Sequence, residues 1–263
     1  MRVGVLTGTG TYALRGAGAG GAETASTAHG DVALTRYDVG GVEALHVSRH
    51  GEGHRHLSNH VAHRANIAAL RQLGADAIVA VTVCGAVDPT VPLGSLIVFD
   101  DLHFLTNRLA DGSLCTLYDE PGAPLRGHWI FEDPFSEGMR QALLAGCRDA
   151  GIPARDGGCY GHVDGPRFNT RAEIRSLALA GVTAVSQTAG PETVLAAEAE
   201  IPYALLGYAT DYANGVKDEA TPVEELVRLI GASTDVFASV LSRTLPQLEA
   251  HDRRPPGTIY RFE

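Results

Sequence analysis

Two apolar runs constrain this chain more than any other feature. Residues 3–6 (Val-Gly-Val-Leu) and 77–83 (Ala-Ile-Val-Ala-Val-Thr-Val) lack the regular polar alternation of a half-exposed strand. A strand reads this way when both of its faces are covered. Each run passes straight into a glycine-bearing turn, Thr7-Gly8-Thr9-Gly10 after the first and Cys84-Gly85 after the second. Between them, residues 42–47 read as a strand, and residues 62–73 as a helix with Ala65, Ala69 and Leu73 on one face. Further strands are expected at 95–99, 184–186 and 203–209, and helices at 136–150, 170–180 and 191–199. Strands buried on both faces need layers above and below them. The alternation therefore predicts a single-domain α/β fold, a mixed, twisted central sheet flanked by helices.

The last helix carries the strongest boundary signal. Thr221-Pro222-Val223-Glu224 has the form of a capping box with proline at the first helical position. Val223, Leu226, Val227, Ile230, Phe237 and Leu241 follow at helical spacing. Pro246 is expected to end the region, and the Asp252-Arg-Arg-Pro-Pro-Gly257 stretch to trail from it. No repeat or linker divides the 263 residues, so the expectation is one domain over 1–250 with a C-terminal tail over 251–263.

Composition narrows the function classes. With 44% hydrophobic and 20% charged residues the chain can build a sizeable core. Acidic residues outnumber basic ones 31 to 21, a formal charge of −10, which speaks against nucleic acid or an anionic membrane as partner. The sequence opens MRVGVLTGTG, without the charged-then-apolar form of a signal peptide. The apolar run at 77–87 is too short to cross a bilayer. Cys84, Cys115, Cys147 and Cys159 are scattered, without a C-x-x-C pair, so a disulfide framework or zinc ribbon is not expected. These features predict a reduced, cytoplasmic protein.

Three loops follow strands, where open α/β sheets bind ligands. The first, Thr7-Gly8-Thr9-Gly10-Thr11, offers backbone N–H groups and hydroxyls to an anion, and equally suits a plain turn. The second, Arg49-His50-Gly51-Glu52-Gly53-His54, sets an arginine fork beside an imidazole. Histidines at 54, 56, 60 and 63 invite a metal reading. Gly51 and Gly53 break the helix that reading requires, and no H-E-x-x-H occurs, so no metal site is expected. The third, residues 161–173, has a Gly165-Pro166 turn that presents Phe168 just before a helix capped by Asn169 or Thr170. An aromatic there can stack on a flat ligand or belong to the core.

Together these segments acquire specificity. The ordered series T-G-T-G, R-H-G-x-G-H, H-R-A-N, V-C-G, G-P-R-F-x-T-x-A-E, Q-T-x-x-P-E and A-T-D-Y, over residues 2 to 248, resembles the methylthioadenosine phosphorylase family. That family lies within the trimeric purine nucleoside phosphorylases. The resemblance implies phosphorolysis of an N-glycosidic bond, releasing a purine and a ribose 1-phosphate, with inorganic phosphate as co-substrate and no cofactor. By matching position it places Thr9, Arg49, His50, Thr82, Thr188 and the Val83 backbone N–H around phosphate. Phe168 with Cys84 and Gly85 would border the base, and Asp211 would address purine N7 and the exocyclic amine. Asp211 and His50 are the catalytic expectations. Val223, Leu226 and Val227 would wall the 5′ end, with Gln187 under the ribose. His128 would reach the neighbouring subunit's 5′ site, which implies a homotrimer with shared active sites.

The sequence also departs from the family pattern. Gln187 stands where methionine is usual, bringing an amide within potential reach of the ribose hydroxyls. Ala213 replaces the second aspartate of T-D-Y-D, Asp164 stands in place of a glutamate, and Ser58-Asn-His-Val-Ala-His-Arg-Ala-Asn66 replaces P-x-x-V-N-Y-x-A-N. Retained Asp211 favours adenine, whereas loss of the second carboxylate favours a 6-oxopurine nucleoside such as methylthioinosine. A water-using nucleosidase would leave Arg49 and His50 without an anion to hold. A non-catalytic nucleoside-binding protein remains the reading from another class.

Overall fold

The computed structural model describes residues 1–14 and 20–262. Its strands are β1 (Arg2–Thr7), β2 (Gly21–Thr27), β3 (Gly30–Val39), β4 (Val42–Ser48), β5 (Ala77–Ala86), β6 (Leu96–Val98) and β7 (Asp101–His103). They continue with β8 (Gly127–Phe131), β9 (Ala154–Asp156), β10 (Cys159–His162), β11 (Val182–Ser186), β12 (Tyr203–Tyr212) and β13 (Gly257–Arg261). The helices are α1 (His63–Gln72), α2 (Glu137–Asp149), α3 (Arg171–Leu179), α4 (Ala189–Glu198) and α5 (Val223–Gln247). Eleven strands form one mixed sheet, with the path β2-β3-β4-β1-β5-β11-β10-β7 and a branch from β5 through β12 and β6 to β9.

Strand β5 is the spine of the sheet, and its composition shows why. Ile78 and Ala80 pack among Ile67, Leu70, Leu195 and Leu205 on the face covered by α1 and α4. Val79 and Val81 pack among Leu143, Leu206, Phe237 and Leu241 on the face covered by α2 and α5. All four of these residues are fully buried, with Ile78, Val79 and Val81 each contributing about 1.5–3 kcal/mol and Ala80 less. A polar residue at any of them would face a core, which is the physical basis of the unbroken apolar run.

The partners of β5 also open the site. One edge pairs in parallel with β1 through Val3↔Ala77 to Leu6↔Ala80. Farther along, the β5 end pairs antiparallel with β11, through Gly85↔Val185 and Ala86↔Ala184. The sheet therefore divides where β1 ends and β11 begins. Strand β12 follows the other edge of β5 in parallel, with a register break between Ala209 and Asp211 that leaves Thr210 as the extra residue.

Several sequence expectations change at element ends. The Thr221 capping box does not form. Pro222 occupies the cap position without a side-chain bond, and the Thr221 hydroxyl accepts from the Tyr212 N–H at 3.0 Å, tying α5 to β12. The capping box belongs instead to α3, where Glu173 N–H donates to Thr170 Oγ1 at 3.3 Å and Thr170 N–H to Glu173 Oε2 at 2.7 Å. Pro246 lies inside α5, and a 3₁₀ turn (Leu248–Ala250) follows. The stretch 251–263 does not simply trail away: β13 pairs antiparallel with β8 from Gly257↔Phe131 to Arg261↔Gly127.

Candidate active site

A cavity of about 270 Å³ occupies the division in the sheet. The β1 turn contributes Gly8 and Thr9, the β5 end contributes Thr82, Val83, Cys84 and Gly85, and β12 contributes Thr210 and Asp211. His50, Phe168, Gln187, Thr188 and Leu226 complete the expected set that meets there. Thr9, Thr82 and Thr188 bring hydroxyls to this lining, His50 an imidazole, Phe168 an aromatic ring and Asp211 a carboxyl.

His50 Nδ1 lies 2.8 Å from the His56 carbonyl. A carbonyl only accepts, so Nδ1 carries the proton and Nε2 of the neutral ring keeps a lone pair. Burial, above all, lowers the His50 pKa to about 4. The His54 ring, with Tyr12 OH 3.2 Å from its Nδ1, stacks on His50 at 4.3 Å between centroids. Thr82 Oγ1 sits 3.0 Å from Ser186 Oγ. Thr188 precedes α4 without making a side-chain cap. Tyr160 OH instead receives the Thr188 and Ala189 N–H groups, at 3.4 and 3.2 Å.

Arg49 departs from expectation. Its side chain is fully enclosed, with Nε donating to Glu192 Oε1, Nη2 to Glu192 Oε2 at 2.8 Å and Nη1 to the Val81 carbonyl at 2.7 Å. Tyr203 OH adds a 2.9 Å bond to Glu192 Oε2. Burial alone would lower the Arg49 pKa, but Glu192 outweighs it and the guanidinium stays charged. The fork lies behind the wall rather than in it. A Cβ on Gly8 would stand only 3.2 Å from Arg49 Nη1, so the bare glycine backbone separates this charge from the cavity.

Burial raises the Asp211 pKa against a lowering hydrogen bond from Thr210. Thr210 Oγ1 donates to Asp211 Oδ1 at 2.9 Å, leaving Oδ2 beside Gly85, whose added Cβ would lie 3.1 Å away. Phe168 is 62% exposed, so it is a displayed ring and not a core residue. Gln187 is already engaged by the protein: Ser58 Oγ donates to its Oε1 at 2.8 Å, and its Nε2 donates to the Arg167 carbonyl at 3.0 Å.

Of the three residues expected at the 5′ end, only Leu226 lines the cavity, joined by Ile230 one turn later. Val223 and Val227 are 73% and 62% exposed: Val227 is turned by about 100° from Leu226 on the helix, and Val223 is the first residue of α5. His128 stands on β8 in a separate hollow of about 520 Å³ with Trp129 and Phe131, and does not reach the cavity of its own chain. Sequence reasoning missed Ser58, Asn169, Thr210, Asn214 and Ile230 as lining residues. The i, i+4 spacing of Ile230 from Leu226 was the available signal for one of them. Among the described residues, no group of three His, Cys, Asp or Glu side chains is placed to hold a metal ion.

Several hydroxyls, a displayed aromatic and a buried carboxyl share this one cavity. The sequence pattern of the phosphorylase superfamily matches residues 2–246. The chain belongs to this superfamily. Among phosphorylase relatives, it is 31% identical over 236 residues to the 6-oxopurine nucleoside phosphorylase of Pyrococcus furiosus, covering 88% of this chain and 87% of that one. It is 36% identical over 249 residues to the S-methyl-5′-thioadenosine phosphorylase of Mycolicibacterium smegmatis, covering 94% and 86%. A solved Schistosoma mansoni methylthioadenosine phosphorylase with adenine superposes with a TM-score of 0.84 at 26% identity, covering 95% and 92%.

Proposed function

We propose that this phosphorylase cleaves the N-glycosidic bond of a 5′-deoxy or 5′-methylthio purine nucleoside, methylthioadenosine first among them, with inorganic phosphate. The carrying observation is the disposition of the cavity. A buried carboxyl with one oxygen free of the Thr210 bond, an exposed aromatic ring and the hydroxyls of Thr9, Thr82 and Thr188 line one cavity. No cofactor is needed. A phosphate oxygen forms the new bond to C1′ as the C1′–N9 bond breaks, and the bonding pair leaves with the purine. Thr9, Thr82, Thr188 and the Val83 N–H surround the phosphate, while the His50 Nε2 lone pair accepts a hydrogen bond from its remaining hydroxyl, which keeps its proton. Arg49 lies behind Gly8 with its charge paired to Glu192. Held beneath a cationic sugar, phosphate is both nucleophile and counterion.

Protonated Asp211 donates to N7 as the leaving purine gains electrons. Its pKa, raised by burial, favours that protonated form. The oxygen that takes the Thr210 bond can also accept from an adenine N6 amine. A 6-oxopurine nucleoside is the second reading, supported by Ala213, a cavity-lining residue without a carboxylate. Leu226 and Ile230 give the sugar's 5′ end an apolar wall, suited to a methylthio or deoxy group.

We further infer a homotrimer with shared sites, in which His128 serves a neighbouring subunit. Residues 1–250 would form the phosphorylase domain, acting in purine salvage in the cytoplasm. Four cysteines without disulfide partners and the acidic balance fit that setting. Among the described residues, no helix is long and apolar enough to cross a membrane.

The test is base release from methylthioadenosine, methylthioinosine, adenosine and inosine, with and without phosphate. Phosphate-dependent adenine release, fastest from methylthioadenosine, is expected. Preference for methylthioinosine would establish the second reading, and release without phosphate would make the chain a nucleosidase. Binding without turnover would make it a nucleoside-binding protein.

A further inference from the structure

We propose that Gln187 is a positioning residue for the aromatic platform, acting through Phe168 and not on the sugar. The inference rests on reading the cavity as a purine nucleoside site. With 62% of its surface exposed, the Phe168 ring is not fixed by packing. What fixes it is its backbone, where three successive carbonyls each take a side-chain donor. Arg167 O accepts from Gln187 Nε2 at 3.0 Å, Phe168 O from Arg167 Nη1 at 3.2 Å, and Asn169 O from Asn214 Nδ2 at 2.7 Å. Of these donors, Gln187 links the loop to the end of β11, in the body of the sheet.

The other end of the same amide is also held. Ser58, buried at 8% exposure, donates to Gln187 Oε1 at 2.8 Å across 129 positions of sequence. One amide thus joins the 3₁₀ turn Ser58–His60, the loop carrying Phe168 and the end of β11. Gly165 lies directly on this junction, since a Cβ there would stand 2.1 Å from both Ser58 Oγ and Gln187 Oε1. The amide's orientation is set by protein partners before any ligand arrives. Ser58 and Gln187 each stand where the resembling family has another residue, a proline and a methionine. A methionine could make neither bond, so the two departures form one device.

The test is titration of the full-length protein with free adenine and free hypoxanthine, neither of which carries a ribose. Phe168→Ala should weaken base binding about tenfold or more, as loss of a stacking platform does. Gln187→Met and Ser58→Ala should weaken it about two- to fivefold, the scale of a lost hydrogen bond. Adding Gln187→Met to Phe168→Ala should cost nothing further, because the platform it positions is gone. With nucleosides, the KM increase from Gln187→Met should be equal for ribose and 2′-deoxyribose substrates. Unchanged base affinity in Gln187→Met and Ser58→Ala, with unchanged melting temperatures, would overturn the proposal, as would a penalty confined to ribose substrates. Failure of the unmodified protein to bind either base is a different result, which removes the purine reading itself.

Discussion

Arg49 and Glu192 are joined at two points with both side chains sealed from solvent, Nη2 to Oε2 at 2.8 Å and Nε to Oε1. The pair connects the loop after β4 to the first turn of α4, and Tyr203 OH fastens its carboxylate to β12. The pair is neutral overall, with its positive, guanidinium side nearest Gly8. Removing the carboxylate leaves the guanidinium charge buried and unpaired. Glu192→Ala should destabilise the protein by about 3–5 kcal/mol, read as a lowered urea midpoint. Glu192→Gln, which retains one acceptor, should cost less. Equal stability of all three proteins would remove the pair from the account of the fold.

Asp211 sets the expected pH dependence of catalysis. Burial raises its pKa above the ordinary carboxyl value, and in the proposed mechanism the protonated form is the proton donor. Its contribution is complete below that raised pKa and declines as pH rises through it. Asp211→Ala should lower kcat/KM by about tenfold or more. Asp211→Asn should remove the descending limb it controls and shift preference toward 6-oxopurines. Profiles that coincide with and without the carboxyl would take Asp211 out of the mechanism.

Three enclosed histidines should govern stability on the mildly acidic side. Burial, reinforced by the Arg49 charge, lowers His46 to about 4. His63 falls to about 3 by burial, with Arg49 and His50 adding, and His162 to about 3 by burial and then His63. The unfolded chain takes up these protons near pH 6.5 and the native protein does not. Their stabilisation is present above about pH 6.5 and is lost as pH falls toward these values, by up to about 1.4 kcal/mol per unit for each. The urea midpoint should therefore drop between pH 7 and pH 5. A flat midpoint over that interval would contradict neutral burial.

Gly190, in the first turn of α4, has no room for a side chain. An added Cβ would meet His162 Cβ at 2.5 Å and Cγ at 2.6 Å. Gly190→Ala should cost about 1–3 kcal/mol by overpacking. Gly231, inside α5, meets nothing within 4 Å, and Gly231→Ala should stabilise by about 0.5–1 kcal/mol. Thermal melts of the two variants should move in opposite directions, and a shared direction would contradict the packing described here.

The sequence exposed those parts of the fold whose burial is extreme. Strand β5 was readable because both faces meet a core, and the glycine turns because they stop such strands abruptly. Strands β2 and β3 were not readable, since Ala25, Val32 and Leu34 are their only fully enclosed apolar residues. Pairing of β8 with β13 joins segments more than a hundred residues apart through half-exposed side chains, a relation that local periodicity does not encode. At the site, residue types were legible but directions were not. The Arg49 motif gives no sign of its partner Glu192, 143 positions away. The α5 stripe identifies an apolar face without revealing that Leu226, rather than Val223 or Val227, points inward. Likewise, Gln187 could be recognised as unusual, but its partner Ser58 emerged only from the fold.

The extra residue at Thr210 has a consequence for how this scaffold diversifies. Upstream of it, Tyr203 to Ala209 keep step with β5 through the core. Downstream, Asp211 and Ala213 face the ligand space on a frame of their own. The strand is in effect spliced, with a shaft in step with β5 and a tip paired to it one residue out of step. Side chains at the tip can be rewritten by point substitution without pulling the shaft out of phase, so a change of preferred base need not be accompanied by a rebuilt interior.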